Sequence, residues 1–221
     1  NISSIAYDSN GSVVKRTDVK ENSTTYTYDG NLNMTSMTLP TNATITYEYD
    51  AEDRLVLTKY PDNTYCENQY DYGGRIVKTI DRTGNIVLYE YDAANNIIKT
   101  TNTLGGVTVN EYDANGSVVK TTNPLGNVTR YEYNNINKLS KAINALDGET
   151  IYNYNSAGDL ISVVDPLGNT TTNKYDKNGR LVSVTDPKGN ETKYTYDLLG
   201  NLTKVENALN EVTTNEYDGM N

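Results

Sequence analysis

The sequence contains no histidine, no tryptophan and no phenylalanine, and it has a single cysteine, Cys66. Without an imidazole, the common zinc sites, Ser-His-Asp triads and histidine proton shuttles all lack their usual residue. One cysteine excludes a disulfide within the chain and leaves the redox compartment open. No apolar run approaches the roughly 18 residues of a membrane helix. These absences disfavour metal-dependent and triad-based enzymes, and we expect no cofactor.

The charge balance and the low apolar content limit the kinds of partner and of hydrophobic core that the chain can have. The chain has 221 residues, of which 29 are acidic and 19 basic, for a formal net charge of -10. Affinity for a phosphate backbone comes from lysine and arginine, so nucleic acid is an unexpected partner. Only 36% of the residues are hydrophobic. Such a chain is too polar for a thick layered core, and a thin or hollow structure fits better.

A tyrosine recurs every 21 residues without an insertion or deletion, which is the signature of a tandem repeat. The positions are Tyr7, Tyr28, Tyr49, Tyr70, Tyr91, Tyr112, Tyr133, Tyr154, Tyr175, Tyr196 and Tyr217. Aspartate follows all of them except two, which are followed by Asn134 and Asn155. Asparagine keeps the side-chain carbonyl that accepts hydrogen bonds from nearby backbone N–H groups, but it loses the charge. At this position the shape of the side chain therefore matters more than its charge.

Two tight turns are predicted in each repeat. In the first, the residue four places after the tyrosine is a type that tolerates positive φ, with Leu32 as the exception. Three of these turns contain dipeptides preferred in type I′ hairpin loops, namely Asn10-Gly11, Asn115-Gly116 and Asn178-Gly179. The second turn reads Asx-Pro-x-Gly-Asn in its fullest form, as in residues 165–169. Its fourth position holds glycine, asparagine or aspartate in the other repeats, and Glu21 is the exception.

The segments between the turns have the composition and alternation of β-strands. One strand begins with an aliphatic residue six places after the tyrosine, and the returning strand reads Thr-x-Tyr-x-Tyr-Asp, as in residues 192–197. This alternation places the threonine and the tyrosines on one face and residues such as Arg130 and Glu132 on the other. The register of the proline-containing turn stays open, and so does the face that carries the aliphatic residues.

One repeat is therefore predicted to be one antiparallel hairpin, and residues 1–221 a continuous all-β array of about ten hairpin repeats. A single hairpin is only marginally stable, so each repeat must pack on its neighbours. Because strands twist, we expect the array to coil into a β spiral, tube or shell wall. Neither end has a capping element, which predicts that the chain is part of a longer array or associates through its edges or ends.

The pieces Tyr-Asp-x-x-Gly-x-Leu, Asp-Pro-x-Gly-Asn and Thr-x-Tyr-x-Tyr-Asp resemble the YD repeat of the Rhs-type family. Relatives in that family include bacterial polymorphic toxins, insecticidal toxin complexes and the animal teneurins. The resemblance extends over essentially the whole chain and is closest in residues 112–218. It implies strand-turn-strand units wound into a large hollow shell, usually extracellular or exported. In the toxin members, this shell is similar to a container around a C-terminal toxic domain.

Two features depart from the toxin members of that family. They carry Asp-Pro-x-Gly-Trp-like self-cleavage sequences, whereas the turns at Asp165-Pro166 and Asp186-Pro187 belong to a chain without tryptophan, so no catalytic residue is assigned. The period of 21 is also unbroken. Constant repeats generate constant rotation and rise, which favours an extended tube or fibre over a shell that tapers and closes.

Several residue types recur at the same position of successive repeats, and each such column has more than one interpretation. Stacked tyrosines can bind sugars, but in a chain without phenylalanine or tryptophan they also supply the apolar area that packing needs, and packing is favoured. The aspartate column offers oxygen ligands to Ca²⁺, yet each repeat brings one carboxylate without a second at loop spacing, so turn capping is favoured. Columns of lysine and glutamate predict a solvated face with cross-strand pairs. Sequons at Asn127, Asn169 and Asn190 fall at turns, where a glycan is accommodated if the chain is exported through a glycosylating pathway.

The sequence therefore predicts a non-enzymatic structural protein, extracellular or on the cell surface, that forms a β-tube, a fibre or the wall of a shell. The first alternative is a repeat shell around a C-terminal polymorphic toxin. The second is an adhesin that presents tyrosine and asparagine side chains to a glycan or a partner cell. A hydrolase with paired carboxylates has the least support, because equivalent turns offer no singular pocket. Self-association is the expected partner interaction, without nucleic acid and without membrane insertion in this segment.

Overall fold

The computed structural model describes residues 2–217, and all regular structure in that range is β-strand. Asn1 and residues 218–221 lie outside the described residues, and with them Asp218 of the aspartate column. The chain divides into two compact units between Val109 and Asn110. No helix in the described part of the chain has the length and apolarity to cross a bilayer. The predicted all-β hairpin fold is confirmed, whereas one continuous array over residues 1–221 stays a prediction.

The strands are short and follow one another at regular intervals. The first unit contains β1 (Ile2–Tyr7), β2 (Val13–Asp18), β3 (Ser23–Tyr28), β4 (Met34–Thr38), β5 (Thr44–Tyr49), β6 (Leu55–Lys59), β7 (Tyr65–Tyr70), β8 (Ile76–Ile80), β9 (Ile86–Tyr91) and β10 (Ile97–Asn102). β11 (Val107–Tyr112) crosses the division. The second unit contains β12 (Val118–Thr122), β13 (Val128–Tyr133), β14 (Leu139–Ile143), β15 (Glu149–Tyr154), β16 (Leu160–Val164), β17 (Thr170–Tyr175), β18 (Leu181–Thr185), β19 (Glu191–Tyr196), β20 (Leu202–Glu206) and β21 (Val212–Thr214).

Two kinds of antiparallel hairpin alternate within each unit. In a tyrosine hairpin, formed around the turn after each periodic tyrosine, the tyrosine lies opposite the aliphatic residue, as Tyr133 lies opposite Leu139. The next pair is Glu132 with Lys141, so one extra residue, Ser140, forms a β-bulge. The return hairpin around the other turn has no register shift in β14 and β15. Because opposite residues share a face, the aliphatic residue six places after each periodic tyrosine lies on the tyrosine side of the sheet, which answers the question left open by the sequence.

Both kinds of turn have the same hydrogen bonds. In the Asp165 turn, the Gly168 N–H donates to the Asp165 carbonyl at 2.9 Å, and the Asp165 N–H donates to the Asn169 carbonyl at 2.9 Å. The fourth residue has positive φ in each described turn of this pattern, including the two departures, Leu32 at 68° and Glu21 at 67°. This is a type I turn followed by a G1 bulge. The predicted positive-φ positions are therefore confirmed.

The type I′ geometry suggested by the Asn-Gly dipeptides is wrong. A type I′ turn requires positive φ at both central residues. Gly11, Gly116 and Gly179 have φ of 84°, 79° and 77°, but the asparagine before each of them does not have positive φ. The physical reason is the aspartate that opens the turn, since Oδ1 of Asp8 accepts the N–H groups of Asn10 and Ser12 at 2.9 and 2.8 Å. Those two bonds stabilise a longer loop than a type I′ turn provides.

Neither unit has a second layer packed on its strands. All strand–strand contacts of the described residues are between neighbours in sequence. Among these residues no hydrophobic side chain is fully buried, and most strand residues are half-buried. Stability must therefore come from neighbouring hairpins and from the turns instead of from a central core.

The strained turn positions give a first prediction. Leu32 has φ of 68°, a region that costs a non-glycine residue about 1–2 kcal/mol. Leu32→Gly is expected to raise the free energy of unfolding by about 0.5–1 kcal/mol, because relief of that strain exceeds the entropy that glycine adds to the unfolded chain. Urea unfolding followed by circular dichroism measures the change.

The matched control is Gly168→Ala at the equivalent position of a return turn. A Cβ on Gly168 would meet no atom within 4 Å, so the substitution tests the φ of 83° alone. It is expected to lower the free energy of unfolding by about 1 kcal/mol. Stability changes of the same sign in the two variants would contradict the assignment of strain.

Candidate functional site

The strands present two chemically different faces. The tyrosine face carries the periodic tyrosine, the residues two and four places before it, and the two residues that lie opposite them on the next strand, such as Leu139 and Ala142. The charged face carries the alternate positions, such as Glu132 and Lys141, which lie opposite each other. Both faces follow from the antiparallel register, in which opposite side chains point the same way.

Charge is segregated between these faces in the second unit. Ten charged side chains lie on the charged face of β12 to β20, namely Lys120, Arg130, Glu132, Lys141, Glu149, Lys174, Glu191, Lys193, Lys204 and Glu206. Within the same described strands the tyrosine face carries tyrosine, threonine, asparagine and aliphatic residues and no charged one. The two sides of the sheet are therefore suited to different surroundings.

The periodic tyrosines join neighbouring hairpins through their hydroxyl groups. The hydroxyl of Tyr154 donates to the main-chain carbonyl of Leu139 at 2.9 Å. That carbonyl lies beyond Lys141 and Ile151, the last paired residues of the return hairpin, so the hydroxyl replaces a missing ladder bond. Burial raises the pKa of Tyr133 and Tyr154.

The same bond recurs along the chain at 2.6–3.0 Å. The pairs are Tyr28 with Val13, Tyr49 with Met34, Tyr70 with Leu55, Tyr91 with Ile76, Tyr133 with Val118, Tyr175 with Leu160, Tyr196 with Leu181 and Tyr217 with Leu202. Tyr7, the first of the series, is 59% exposed. These hydroxyls are engaged within the fold, which supports packing over glycan contact as the role of the column.

Asparagine at the position two before the tyrosine uses the same acceptor. The side-chain amides of Asn173 and Asn68 donate to the carbonyls of Leu160 and Leu55 at 2.9 and 3.3 Å. Tyr175 donates to that same Leu160 carbonyl. Asparagine can thus take this position in place of tyrosine because it adds a second donor to one carbonyl.

The aspartate column caps the turns. Oδ1 of Asp197 accepts the N–H groups of Leu199 and Asn201, and Oδ2 accepts the Asn201 side-chain amide, each at 2.9 Å. The amide and N–H of Asn201 hold the pKa of Asp197 below its usual value. Because both oxygens already accept hydrogen bonds, they are poorly placed to bind Ca²⁺. In the described part of the chain, no three acidic or cysteine side chains form a metal cluster.

Basic residues five places after the tyrosine form a contact that the sequence reasoning missed. The guanidinium groups of Arg54, Arg75 and Arg180 lie over the ring of the next periodic tyrosine, at 4.7, 4.7 and 5.0 Å from its centroid. Lys138 does the same over Tyr154 at 5.4 Å. Such cation–π contacts stabilise exposed sites modestly. The signal was the basic residue at one repeat position, which only a repeat-by-repeat alignment makes visible.

Arg75 shows how this position joins two turns. Its Nε donates to Oδ2 of Asp71 at 2.7 Å, and a terminal nitrogen donates to the carbonyl of Asp92 in the next tyrosine turn at 3.2 Å. The ring of Tyr91 lies beneath the guanidinium group. Consecutive tyrosine turns are therefore linked by side chains as well as by strands.

The predicted cross-strand ion pairs are present on the charged face. Lys99 pairs with Glu90 at 2.6 Å and Lys120 with Glu111 at 2.7 Å. Lys141 instead pairs with Glu149 across the return hairpin at 3.2 Å. Exposed pairs of this kind contribute little to stability.

The three sequons lie at the ends of return turns, and all three asparagines are exposed. The amides of Asn169 and Asn190 donate to Asp165 and Asp186 at 2.8 and 2.7 Å. A glycan on either amide would compete with that bond. The turn of Asn127 opens with the neutral Asn123, so Asn127 is the better glycosylation candidate of the three, and the modification stays a prediction.

Solved structures similar to this chain share its fold. The crystal structure of TcdB2-TccC3 is 17% identical with a TM-score of 0.73 and covers 92% of this chain. TcdB2-TccC3-TEV is 18% identical with a TM-score of 0.70 and 90% coverage. The Photorhabdus luminescens Tc holotoxin pore is 16% identical with a TM-score of 0.58 and 95% coverage. The chain spans only 12%, 12% and 16% of the length of those solved chains.

Comparison with models of known sequence families assigns the chain to a family. No curated protein sequence matches the chain. The RHS repeat matches residues 175–212, and the teneurin YD-shell matches residues 1–165. The second match covers well over half of the chain and confirms the resemblance drawn from the tyrosine period and the turn sequences. The chain therefore belongs to the teneurin YD-shell family, whose RHS-type repeats have a structural role.

Proposed function

We propose that the chain is a segment of the wall of an extracellular YD shell that encloses a polypeptide. The tyrosine face borders the enclosed space, and the charged face meets the solvent. The observation that carries this proposal is the segregation of charge in the second unit, where one face holds ten charged side chains and the other none among the described strands. No catalytic role is assigned to the chain.

A single-layer sheet is well suited to a wall. The tyrosine face is half-buried by its own side chains and has no covering layer in either unit. An uncharged face with hydroxyl and amide groups adapts to a polypeptide without the cost of desolvating charges. One of the similar solved structures is named as a Tc holotoxin pore, which supports a toxin as the enclosed polypeptide. The adhesin alternative gains no support, because most of the periodic tyrosines already donate their hydroxyls to main-chain carbonyls.

Cysteine labelling tests which face is enclosed. Thr171 and Thr172 are adjacent, chemically identical and half-buried, but Thr171 lies on the tyrosine face and Thr172 on the charged face. The substitutions Thr171→Cys and Thr172→Cys are introduced one at a time into the polypeptide in the form in which the cell produces it. In both variants Cys66 is replaced by serine. A maleimide linked to a large polymer is then added to the native protein.

The Thr172→Cys variant is expected to be labelled fast, and the Thr171→Cys variant only after denaturation. Each variant serves as the control for the other, since strand position and burial are matched. Equal labelling rates would overturn the proposal and favour an open tube or fibre with both faces accessible. Faster labelling of the Thr171→Cys variant would reverse the orientation of the wall.

A further inference from the structure

Two tyrosine turns of the second unit contain an asparagine followed by a glycine. The Asn115-Gly116 and Asn178-Gly179 dipeptides occupy the third and fourth positions of their turns, and both dipeptides are exposed. The two glycines have φ of 79° and 77°. Their N–H groups donate to the carbonyl of the aspartate that opens each turn, at 3.1 and 3.0 Å. The local main chain is therefore the same at both dipeptides.

An asparagine followed by glycine is open to attack by its own main chain. The main-chain nitrogen of Gly116 attacks the side-chain carbon Cγ of Asn115. The new N–Cγ bond closes a five-membered succinimide ring, and the Cγ–Nδ2 bond breaks as ammonia leaves with the glycine proton. Water then opens the ring at one of its two carbonyls and leaves either aspartate or isoaspartate. Glycine favours the first step because no Cβ shields the attacking nitrogen.

The two turns differ at the residue after the glycine. In the turn of Asn178 this residue is Arg180, whose Nε and one terminal nitrogen each lie 2.7 Å from Oδ2 of Asp176. The other terminal nitrogen donates to the carbonyl of Asp197 in the next tyrosine turn at 3.0 Å. Bonds between a guanidinium group and a carboxylate are among the stronger hydrogen bonds of proteins. Arg180 thus clasps the first residue of its own turn and ties that turn to the next one.

A serine takes the same place in the turn of Asn115. The Ser117 N–H donates to Oδ1 of Asp113 at 2.9 Å, and its hydroxyl donates to Asn137 of the next tyrosine turn at 3.0 Å. A short, uncharged side chain cannot reproduce the arginine clasp. The turn of Asn115 should therefore open at a lower free-energy cost than the turn of Asn178. Opening breaks the hydrogen bond of the glycine N–H and frees its nitrogen for the attack.

We propose that Asn115 is a site of spontaneous deamidation in the folded protein, and that the Arg180 clasp protects Asn178 from the same reaction. The aspartate product keeps the main chain of the turn, and Glu52 holds an acidic side chain at this position in another repeat. Isoaspartate instead adds a methylene to the main chain inside the turn. The glycine N–H then no longer fits the carbonyl of the opening aspartate, so this product opens the turn.

Peptide mapping by mass spectrometry, during incubation of the full chain at mildly alkaline pH, measures the reaction at both asparagines. Methylation by an isoaspartyl methyltransferase identifies the isoaspartate product. Each native rate is divided by the rate of the same asparagine in concentrated urea, which corrects for the different neighbours in sequence. The corrected rate of Asn115 is expected to exceed that of Asn178 by about tenfold, because the bonds of Arg180 must break before its turn opens.

Matched variants exchange the residue after the glycine. Arg180→Ser is expected to raise the corrected rate of Asn178 to that of Asn115, and Ser117→Arg is expected to lower the rate of Asn115 by about tenfold. Arginine is compatible with the fold at this position, since Arg75 occupies it in the first unit. Circular dichroism verifies that the strands remain in both variants.

An Asn115 that stays intact in the native chain would overturn the proposal. Equal corrected rates at Asn115 and Asn178 in the wild type would overturn it as well, and so would rates that neither variant changes. None of these results bears on which face of the wall is enclosed, so this proposal and the shell function fail separately.

Discussion

Replacement of Tyr154 by alanine is expected to lower the free energy of unfolding of the second unit by about 3 kcal/mol, and replacement by phenylalanine by about 1 kcal/mol. The phenylalanine variant loses only the hydroxyl bond to the Leu139 carbonyl at 2.9 Å. The alanine variant also loses the ring that packs between hairpins and the contact with Lys138. Urea unfolding measures both changes.

Tyr7→Phe is the matched control for the hydroxyl. Tyr7 is 59% exposed, so the loss of its hydroxyl is expected to leave the free energy of unfolding unchanged. Because repeats interact mainly with their neighbours, the loss at Tyr154 should be local. Amide hydrogen exchange is expected to accelerate in β14 and β15 and to stay unchanged in β20. A Tyr154→Phe variant as stable as the wild type would show that the hydroxyl bond is dispensable.

Acidification is expected to unfold the array from about pH 4 downward, because many turns depend on ionised aspartates. The side chain and N–H of Asn190 lower the pKa of Asp186, and those of Asn96 lower the pKa of Asp92. The hydroxyl of Thr64 and the guanidinium of Arg82 lower the pKa of Asp62 to about 2. Since the folded-state values lie below the unfolded value of about 3.9, the stabilisation is complete above that pH and is lost as the pH falls through the folded-state values.

Asp197→Asn isolates the contribution of one cap. Asparagine keeps the Oδ1 acceptor for the N–H groups of Leu199 and Asn201 but cannot be ionised. The variant is expected to be less stable than the wild type at neutral pH, and the difference is expected to shrink as the pH falls below about 4. Unfolding followed by circular dichroism at neutral and acidic pH measures it. A difference that does not change with pH would contradict the role of the charge.

The repeat, the strands and the turn positions were predictable because they depend on local chemistry. The tyrosine period fixed the length of the unit, and the glycine or asparagine four places on marked positive φ even where Leu32 replaced them. The type I′ prediction is wrong because the turn type depends on the aspartate three residues before the glycine as well as on the Asn-Gly dipeptide. That aspartate recurs at both turns of a repeat, at Asp8 and again at Asp18, and this spacing was the available signal.

The pairing of faces and the partners of the tyrosine hydroxyls could not be predicted in the same way. A β-bulge at Ser140 shifts the register by one residue, and a shift of one residue moves a side chain to the other face. The acceptor of the Tyr154 hydroxyl is a main-chain carbonyl, which every residue possesses and no sequence pattern marks. The leucine tips were visible in the sequence, but their exposure depends on which turn residue points outward.

Cryo-electron microscopy of the naturally produced polypeptide tests the central claim most directly. We expect hollow particles whose wall is one sheet thick, with the tyrosine face lining an enclosed volume that contains additional density. Filaments without an enclosed volume, or particles in which two tyrosine faces pack against each other, would contradict it.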